Sequence, residues 1–546
     1  MQGSANALLL ANIDTLANIR SDQDTWNQGD LLHLIPTASH NRFLIKCSFN
    51  NPQSEPLLRV DGRLIQADNS DSFSRYFAFD VPLLSSNTEY TLQLFDKKAK
   101  ALCDPWPLST FPSPSSEAKT LRVLTYTCAG GYPYYDVMSE QPFLSIAQRK
   151  KLLRRAMSFR PDVLIANGDH IYWDQRSQME SENPKASERA RTWYNRFGQL
   201  DMTVSPSHPK NEAIIKRAVE PQISHIYGVS LRSTPSFFVG DDHDYFEGDK
   251  ATTNFVTFPP SDDHLAFSRF TRNLFLPDFL PTKMQPGNLP GSGAPDRPTG
   301  ISESFGTLRF GNLLEVLMYD CARHISLNAS NAGLIPKDAE QWVCDRTQDE
   351  YVQQLIHIPS HPFGYSAGKW REWYPDVLES REQENMNESP KGDAYPASKL
   401  TTSTEKYLWQ TGWLNQHQRI IEKLHEQNSR PGIIVSGDLH ATGHAVITKS
   451  YGLDLKANPV HSILSGPIGT GTGWPSAARG TQPKPPMGIE LTELAEIREK
   501  NGFAIIDVFK EQLEISLFQW RKNQNEKEID SLEPYHRYTI ARKGKH

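Results

Sequence analysis

Three short stretches place acidic side chains, a histidine or both directly after an apolar run: "VLIANGD" ending at Asp169, "SFFVGDDH" ending at His243, and "IIVSGDLH" ending at His440. A fourth apolar run, "VLTYTC", ends in Cys128. Short apolar runs bounded by turn residues read as buried strands. In sheets with crossover connections the C-terminal strand ends gather along one edge, and ligands bind in the crevice outside it. Any one tip is compatible with a simple turn or helix cap. Four tips together offer carboxylates, imidazoles, a phenol at Tyr172 and a thiol, a mixed O/N/S donor set suited to a transition metal beside a second divalent ion. Gly168, Gly240 and Gly437 each precede an acidic residue, where glycine is expected to let the chain turn sharply.

The surrounding pattern supplies elements that can hold these tips. Between "LRVLTYTC" and "DVLIANGD" lies "FLSIAQRKKLLRRAMSFRP", whose Leu144, Leu152, Leu153, Ala156 and Met157 fall on one helical face, so the unit reads as strand, helix, strand. A helical "WLNQHQRIIEKLHEQN" precedes "IIVSGDLHATGH", and further strands are expected in "NLLEVLMY", "HSILSGP", "FAIIDVF" and "LEISLFQW", giving an α/β layered sheet reaching to about Trp520. Ahead of it, Leu31 to Asp96 alternates short apolar runs with turn residues ("FLIKCSF", "LLRVDGRLIQ", "SRYFAFDV", "EYTLQLF"), the pattern of a small antiparallel β-sandwich. "CDPWPLSTFPSPSSEAKT" reads as a Pro/Ser-rich linker with a boundary near Ser115, which divides the chain into residues 1–115 and 116–546. The intervals Trp173 to Ser233 and Ile325 to Lys406 show little periodicity and are expected to decorate the site as insertions.

Composition narrows the classes. A chain of 546 residues exceeds a single hydrophobic core, and 38% hydrophobic with 22% charged residues is ordinary for a globular protein. A net charge of −6 lacks the basic footprint of a dedicated duplex nucleic-acid binder. No run approaches the ~18 consecutive apolar residues of a membrane span. The N-terminal "MQGSANALLLANIDTLANIR" has an apolar patch without a positive leader, and the five cysteines are odd in number and never spaced CxxC. A reducing, cytoplasmic location is therefore expected.

The ordered set "TC" at Thr127-Cys128, "GDHIYWD" at Gly168–Asp174, "DDHD" at Asp241–Asp244 and "SGDLHATGH" at Ser436–His444 resembles the calcineurin-like metallophosphoesterases, and within them the PhoD-like alkaline phosphatase and phosphodiesterase branch. "MYDCARH" at Met318–His324 and "ILSGP" at Ile463–Pro467 support the resemblance, which spans the C-terminal domain in chain order. It implies an α/β fold class: a layered metallophosphoesterase-type β-sandwich flanked by helices, preceded by a small all-β, immunoglobulin- or fibronectin-like domain. It also implies metal ligands at Cys128, Asp169, Tyr172, Asp242, Asp438 and His440. Asp169 would bridge two ions, Cys128, Tyr172 and His440 would complete the first site, and Asp242 and Asp438 the second. Asp241 can replace Asp242, and His243 would approach the phosphate as the catalytic residue. An Fe3+ ion paired with Ca2+ or Mn2+, rather than Zn2+, is implied, and a thiolate and phenolate beside carboxylates are compatible with that pair. A further histidine ligand is open among His264, His324, His357 and His361.

The implied reaction is hydrolysis of a phosphate ester, in which two cations neutralise the phosphoryl oxygens and a metal-bound hydroxide attacks in line. His243 would steady or protonate the leaving oxygen. A metal-stabilised binding protein without turnover is the alternative, and ester hydrolysis by an activated serine on a nucleophile elbow is disfavoured. His170 is unassigned, His444 is not expected to join the site, and Arg323 either contacts phosphate or pairs with Asp320 or another carboxylate. "SGPIGTGTGWPSAARG" reads as a loop near the site, since it lacks the Lys-Ser/Thr ending of a P-loop. The aromatic "GKWREWYP" is expected to pack in a core or loop, and the basic tail "ARKGKH" to be solvated.

Overall fold

The structure is a computed structural model that describes residues 25–131, 143–173, 195–246, 259–326, 329–366, 411–471, 483–521 and 523–542, with residues 188, 191 and 192 between them. The segment 1–24, Asp174, the aromatic stretch 368–375, residues 472–480 of the glycine-rich segment and the tail 543–546 lie outside the described residues.

Residues 31–109 form eight strands: β1 (Leu31–Ala38), β2 (Phe43–Phe49), β3 (Leu57–Val60), β4 (Arg63–Gln66), β5 (Asp68–Asn69), β6 (Tyr76–Val81), β7 (Glu89–Phe95) and β8 (Trp106–Ser109). They make two four-stranded antiparallel sheets, ordered β1-β2-β6-β5 and β4-β3-β7-β8. In β7 the buried Tyr90, Leu92 and Leu94 alternate with more exposed neighbours, the two-residue period of a strand with one wet face. β8 lies inside the stretch expected to be a linker. Its Trp106 and Leu108 are buried while Pro107 and Ser109 are exposed, and an edge strand tolerates proline's missing N–H. The side-chain alternation outweighs the proline signal there.

The remaining strands build two large sheets. The first, six-stranded, runs β11 (Ser236–Val239), β10 (Val163–Asn167), β9 (Thr120–Tyr126), β20 (Asn501–Phe509), β21 (Gln512–Trp520) and β22 (His536–Ala541). β9, β10 and β11 are parallel. β22 carries the sheet past the expected limit at Trp520. The second, eight-stranded, runs β12 (Phe305–Phe310), β13 (Leu314–Tyr319), β14 (Gln354–Pro359), β15 (Gly432–Ser436), β18 (Val460–Ser465), β16 (Thr442–Ser450) and β17 (Leu453–Asp454), with β19 (Ile489–Arg498) on β16. Here β13, β14, β15 and β18 are parallel.

These parallel strands are mostly apolar and almost wholly buried because both faces are covered. Val163 and Ile165 of β10, with Val316, Met318, Ile356, Ile358, Ile433 and Val435 of the second sheet, share one buried cluster between the sheets. Leu164 and Ala166 point the other way, onto Leu152, Leu153 and Ala156 of helix α1 (Ile146–Met157) and Ile214 and Ile215 of α2 (Pro209–Val219). Likewise Leu317, Leu355 and Ile434 face Trp342 and Val343 of α5 (Lys337–Gln348) and Leu414, Ile420 and Ile421 of α6 (Thr411–His425). The result is helix, sheet, sheet, helix. A short α3 (Ser224–Tyr227) and α4 (Asp262–Phe275) complete the helices named here. The cluster between the large sheets runs on into the core of β1–β8.

α1 starts at a capping box, in which Ser145 Oγ accepts from the Gln148 N–H and the Gln148 side chain accepts from the Ser145 N–H. Leu144 lies before the helix, and Arg149 is buried on the face expected to be wholly apolar. α2, α3, α5 and β14 fall inside the two intervals expected to be irregular insertions. Their buried polar residues, such as Asn211, Glu212 and Lys216 in α2, hide the helical period from a hydrophobicity count.

Candidate metal centre

Because β9, β10, β11 and β15 point the same way within their sheets, their C-terminal ends meet at one edge of the sandwich. Cys128, Asp169 and His440 each present a donor atom, the three lying within 4.8 Å of one another, and so do Asp169, Asp242 and His243. A third group of that size joins Asp169 to Asp241, Asp242 and Asp438. Asp169 belongs to all three groups. Tyr172 joins the first, its hydroxyl 3.3 Å from Asp169 Oδ2 and 3.3 Å from His440 Nε2. Cys128 Sγ lies 3.2 Å from Asp169 Oδ2 and 3.5 Å from the Asp438 carbonyl. Cys128, Asp169, Tyr172, Asp242, His243, Asp438 and His440 thus lie together, with Asp241 beside Asp242.

The backbone at the tips is unusual. Cys128, Asp169 and Asp438 have φ of +47°, +55° and +63°, a left-handed conformation costing a non-glycine residue about 1–3 kcal/mol. Cross-tip hydrogen bonds hold it: the Cys128 N–H donates to Gly168 O (3.1 Å) and the Gly130 N–H to Asp169 O (2.9 Å). Thr127 Oγ1 donates to Asn167 O at 2.6 Å, and Asn167 Nδ2 donates across the sandwich to Pro359 O at 2.8 Å. Of the three tip glycines, only Gly168 has positive φ, +84°. Gly240 and Gly437 serve close approach instead: a Cβ at Gly437 would meet Ser360 O at 2.6 Å and Asn167 O at 2.7 Å, and one at Gly240 would meet Asp320 Oδ2 at 2.6 Å.

Electrostatically the cluster demands positive charge. Burial, then the neighbouring Asp242 carboxylate, holds the Asp169 pKa well above the usual carboxylate range, with His243 acting the other way. Burial, then Asp169, raises the Cys128 thiol. Asp169 Oδ1 is buried with no hydrogen-bond partner among the described residues, an arrangement that costs stability unless a cation meets it. A buried set of carboxyl, thiol, phenol and imidazole donors with an orphaned carboxyl oxygen fits metal ions. His243 stacks on Tyr172 with ring centroids 4.2 Å apart, which holds its imidazole over the donor groups.

The remaining candidates make other contacts. His170 turns away, its Nε2 2.7 Å from Val239 O. His444 sits in β16 and contacts His461 and His536. Arg323 Nη1 pairs with Glu303 at 2.7 Å, while Asp320 accepts from the backbone N–H of Ala322 and Arg323. His357 is held in the second sheet by Tyr319 and Thr347, His264 stacks on Phe246, and His324 stacks on Phe305. None of these, nor His361 beyond the end of β14, belongs to the three donor groups. One stretch, Gly364-Tyr365-Ser366-Ala367-Gly368, matches the GxSxG pattern of a nucleophile elbow. Ser366, however, lies beyond residues 360–365 that follow β14, in an isolated bridge with Lys484, and not on the tight strand-end turn that an elbow requires.

Two supporting residues escaped the sequence reading. Gln222, buried, binds the loops that carry Cys128 and Tyr172, and Arg149, also buried, binds the first of them. For Arg149 the signal was present: it recurs with Leu152, Leu153 and Ala156 in the buried stripe of α1.

No family model and no curated protein matches the sequence. Solved structures do match in fold. The structure of PhoD aligns over 96% of this chain and 92% of its own, with a TM-score of 0.54 and 11% identity. A purple acid phosphatase from seeds of yellow lupin (Lupinus luteus) aligns over 94% of this chain and 74% of its own, with a TM-score of 0.50 and 10% identity. At such identities the likeness is one of fold, and the layered α/β architecture is common to all three.

Proposed function

We propose that the chain hydrolyses phosphoric esters at a centre of two metal ions, as a phosphodiesterase or phosphomonoesterase of PhoD-like type. One observation carries the reading: Cys128, Asp169 and His440, from three strand ends far apart in sequence, meet with donor atoms within 4.8 Å. In this reading Cys128, Asp169, Tyr172 and His440 hold the first ion. Asp169, Asp242 and Asp438 hold the second, with Asp241 beside them. The donors suit Fe3+ at the first site and Ca2+ or Mn2+ at the second. When bound, such ions would neutralise phosphoryl oxygens and lower the pKa of water to about 7.

The chain's own groups do the remaining work. His243, braced on Tyr172, holds a proton for the leaving oxygen or steadies its charge. The apolar layers behind the tips keep water from the inner side of the site. In the same reading residues 116–546 form the catalytic domain and residues 1–115 a separate β domain. The test is elemental analysis of the purified protein, with turnover of a generic aryl phosphomonoester and phosphodiester, for wild type and Asp169→Asn. Wild type should carry metal and turn over, and the variant should lose both while keeping its circular dichroism. Full activity in Asp169→Asn refutes the bridging role. Metal without turnover in wild type leaves a metal-stabilised binding protein.

A further inference from the structure

The two loops that carry Cys128 and Tyr172, residues 128–131 after β9 and 168–172 after β10, are gripped by one side chain from a third segment. Gln222 lies just past α2 and is buried. Its Oε1 accepts from the Gly131 N–H at 2.7 Å and from the Tyr172 N–H at 3.0 Å. Its Nε2 donates to Ala218 O at 3.1 Å, which fixes the amide so that the oxygen and not the nitrogen faces the loops. The same Gly131 peptide is held from its other end, where Arg149 Nη1 donates to Gly131 O at 2.8 Å and Nε to Leu144 O at 2.9 Å. Gly131 itself has φ +102°, and a Cβ there would meet the Phe143 ring at 2.1 Å.

We propose that Gln222 is a positioning residue of the metal centre, one acceptor oxygen that ties the Cys128 loop to the Tyr172 loop and so sets the thiolate and phenolate in place before an ion arrives. This deepens the metal-centre reading and rests on it. The chemistry is specific to a side-chain carbonyl. Both loops present backbone N–H donors to the same point, and only an acceptor with two lone pairs satisfies them together. Partners that orient ligands from outside the coordination sphere typically contribute 10–100-fold in metal affinity.

The test is titration of chelator-treated, full-length protein with Co2+, followed by calorimetry and by the near-ultraviolet cobalt–thiolate band, with thermal unfolding of the metal-free forms alongside. Gln222→Met keeps the volume and removes the acceptor. It should bind Co2+ roughly tenfold or more weakly, with a diminished thiolate band. Gln222→Glu keeps an oxygen facing both N–H groups and should retain most of the wild-type affinity. Gln222→Asn keeps the amide but withdraws it by one methylene. It should weaken binding as the methionine variant does, and it carries the test should that variant not fold. Wild-type affinity and band in Gln222→Met, or in Gln222→Asn, overturn the proposal. So does a loss confined to the stability of the metal-free protein, which marks a purely structural role. Wild type that binds no Co2+ at all overturns the metal-centre reading itself, a result distinguishable from failure of Gln222 alone.

Discussion

At the scale of single residues, the centre crowds buried carboxyl groups around a thiol, a phenol and an imidazole. Asp169 is the sharpest case, shared by every donor group and carrying a buried oxygen without a hydrogen-bond partner among the described residues. Replacing it with Asn, which also tolerates left-handed backbone, removes the ionisable carboxyl. Above the raised pKa of Asp169 the metal-free variant should be as stable as wild type or more stable, because no ionised carboxylate is then buried beside Asp242. Denaturant unfolding after chelation measures this, and a clear loss of stability would contradict the electrostatic account. His243 offers a separation of roles. His243→Gln should leave the metal content unchanged and lower kcat about 10²–10⁴-fold, the usual worth of a positioned proton donor. Loss of metal in that variant would make His243 a ligand instead.

At the scale of elements, the strand ends are packed too closely for a methyl group. Gly437→Ala would drive its Cβ into the carbonyls of Ser360 and Asn167. It should push the β15 tip outward, weakening metal binding through Asp438 and His440, with a cost of about 1–3 kcal/mol in the range of overpacking. Metal titration of a folded Gly437→Ala protein checks it. Away from the centre, β22 is tied to the second sheet by a chain of imidazoles. His536 Nε2 lies 3.2 Å from His444 Nδ1, and His444 Nε2 lies 3.0 Å from His461 Nδ1. Burial, then His461 and His536, lowers the His444 pKa to about 2, and burial lowers His461 to about 4. Below about pH 6.5 the unfolded chain therefore binds protons that the folded one refuses. Stability supplied by these groups is complete above that pH and is lost as pH falls. His33, His170, His357 and His417, each lowered by burial to about 3, act in the same direction. Denaturation midpoints between pH 7.5 and pH 5 should fall in wild type, and fall less steeply in His444→Gln.

At the scale of the whole molecule, the N-terminal sheets are joined to the rest by buried charge. Lys216 of α2 pairs with Asp71 and, at 2.5 Å, with Glu212, all three buried. Lys46 Nζ donates to Asn273 O at 2.7 Å, and the Tyr76 hydroxyl to Glu220 at 2.7 Å. Lys216→Met leaves two carboxylates uncompensated and should destabilise the protein by about 3–5 kcal/mol. Lys216→Met combined with Asp71→Asn and Glu212→Gln should recover much of that loss. Thermal unfolding of the two variants gives the comparison.

What the sequence determined by itself was local. The two-residue alternation of β7, the apolar runs of β9, β10 and β15, and the helical stripes of α1 and α6 follow from side-chain periodicity, and so do their approximate limits. The tip residues offered a mixed donor set of thiol, phenol, imidazole and carboxylate suited to metal ions, although any one tip alone suits a turn or helix cap equally. Where polar residues are buried, the pattern failed: Asn211, Glu212 and Lys216 in α2 each broke an apolar period that burial then overrode, while Pro107, exposed on the edge strand β8, gave a turn signal that the alternation of its buried neighbours outweighed. Tertiary structure alone decided which donors meet, that Asp241 stands beside Asp242, and that His357, His264 and His324 belong to other contacts. It also decided that Gly240 and Gly437 answer to crowding from other chain segments rather than to their own backbone angles. The reason is physical: periodicity is a property of neighbours along the chain, whereas a coordination site and a close approach are properties of segments hundreds of residues apart, brought together only by the packing of two sheets.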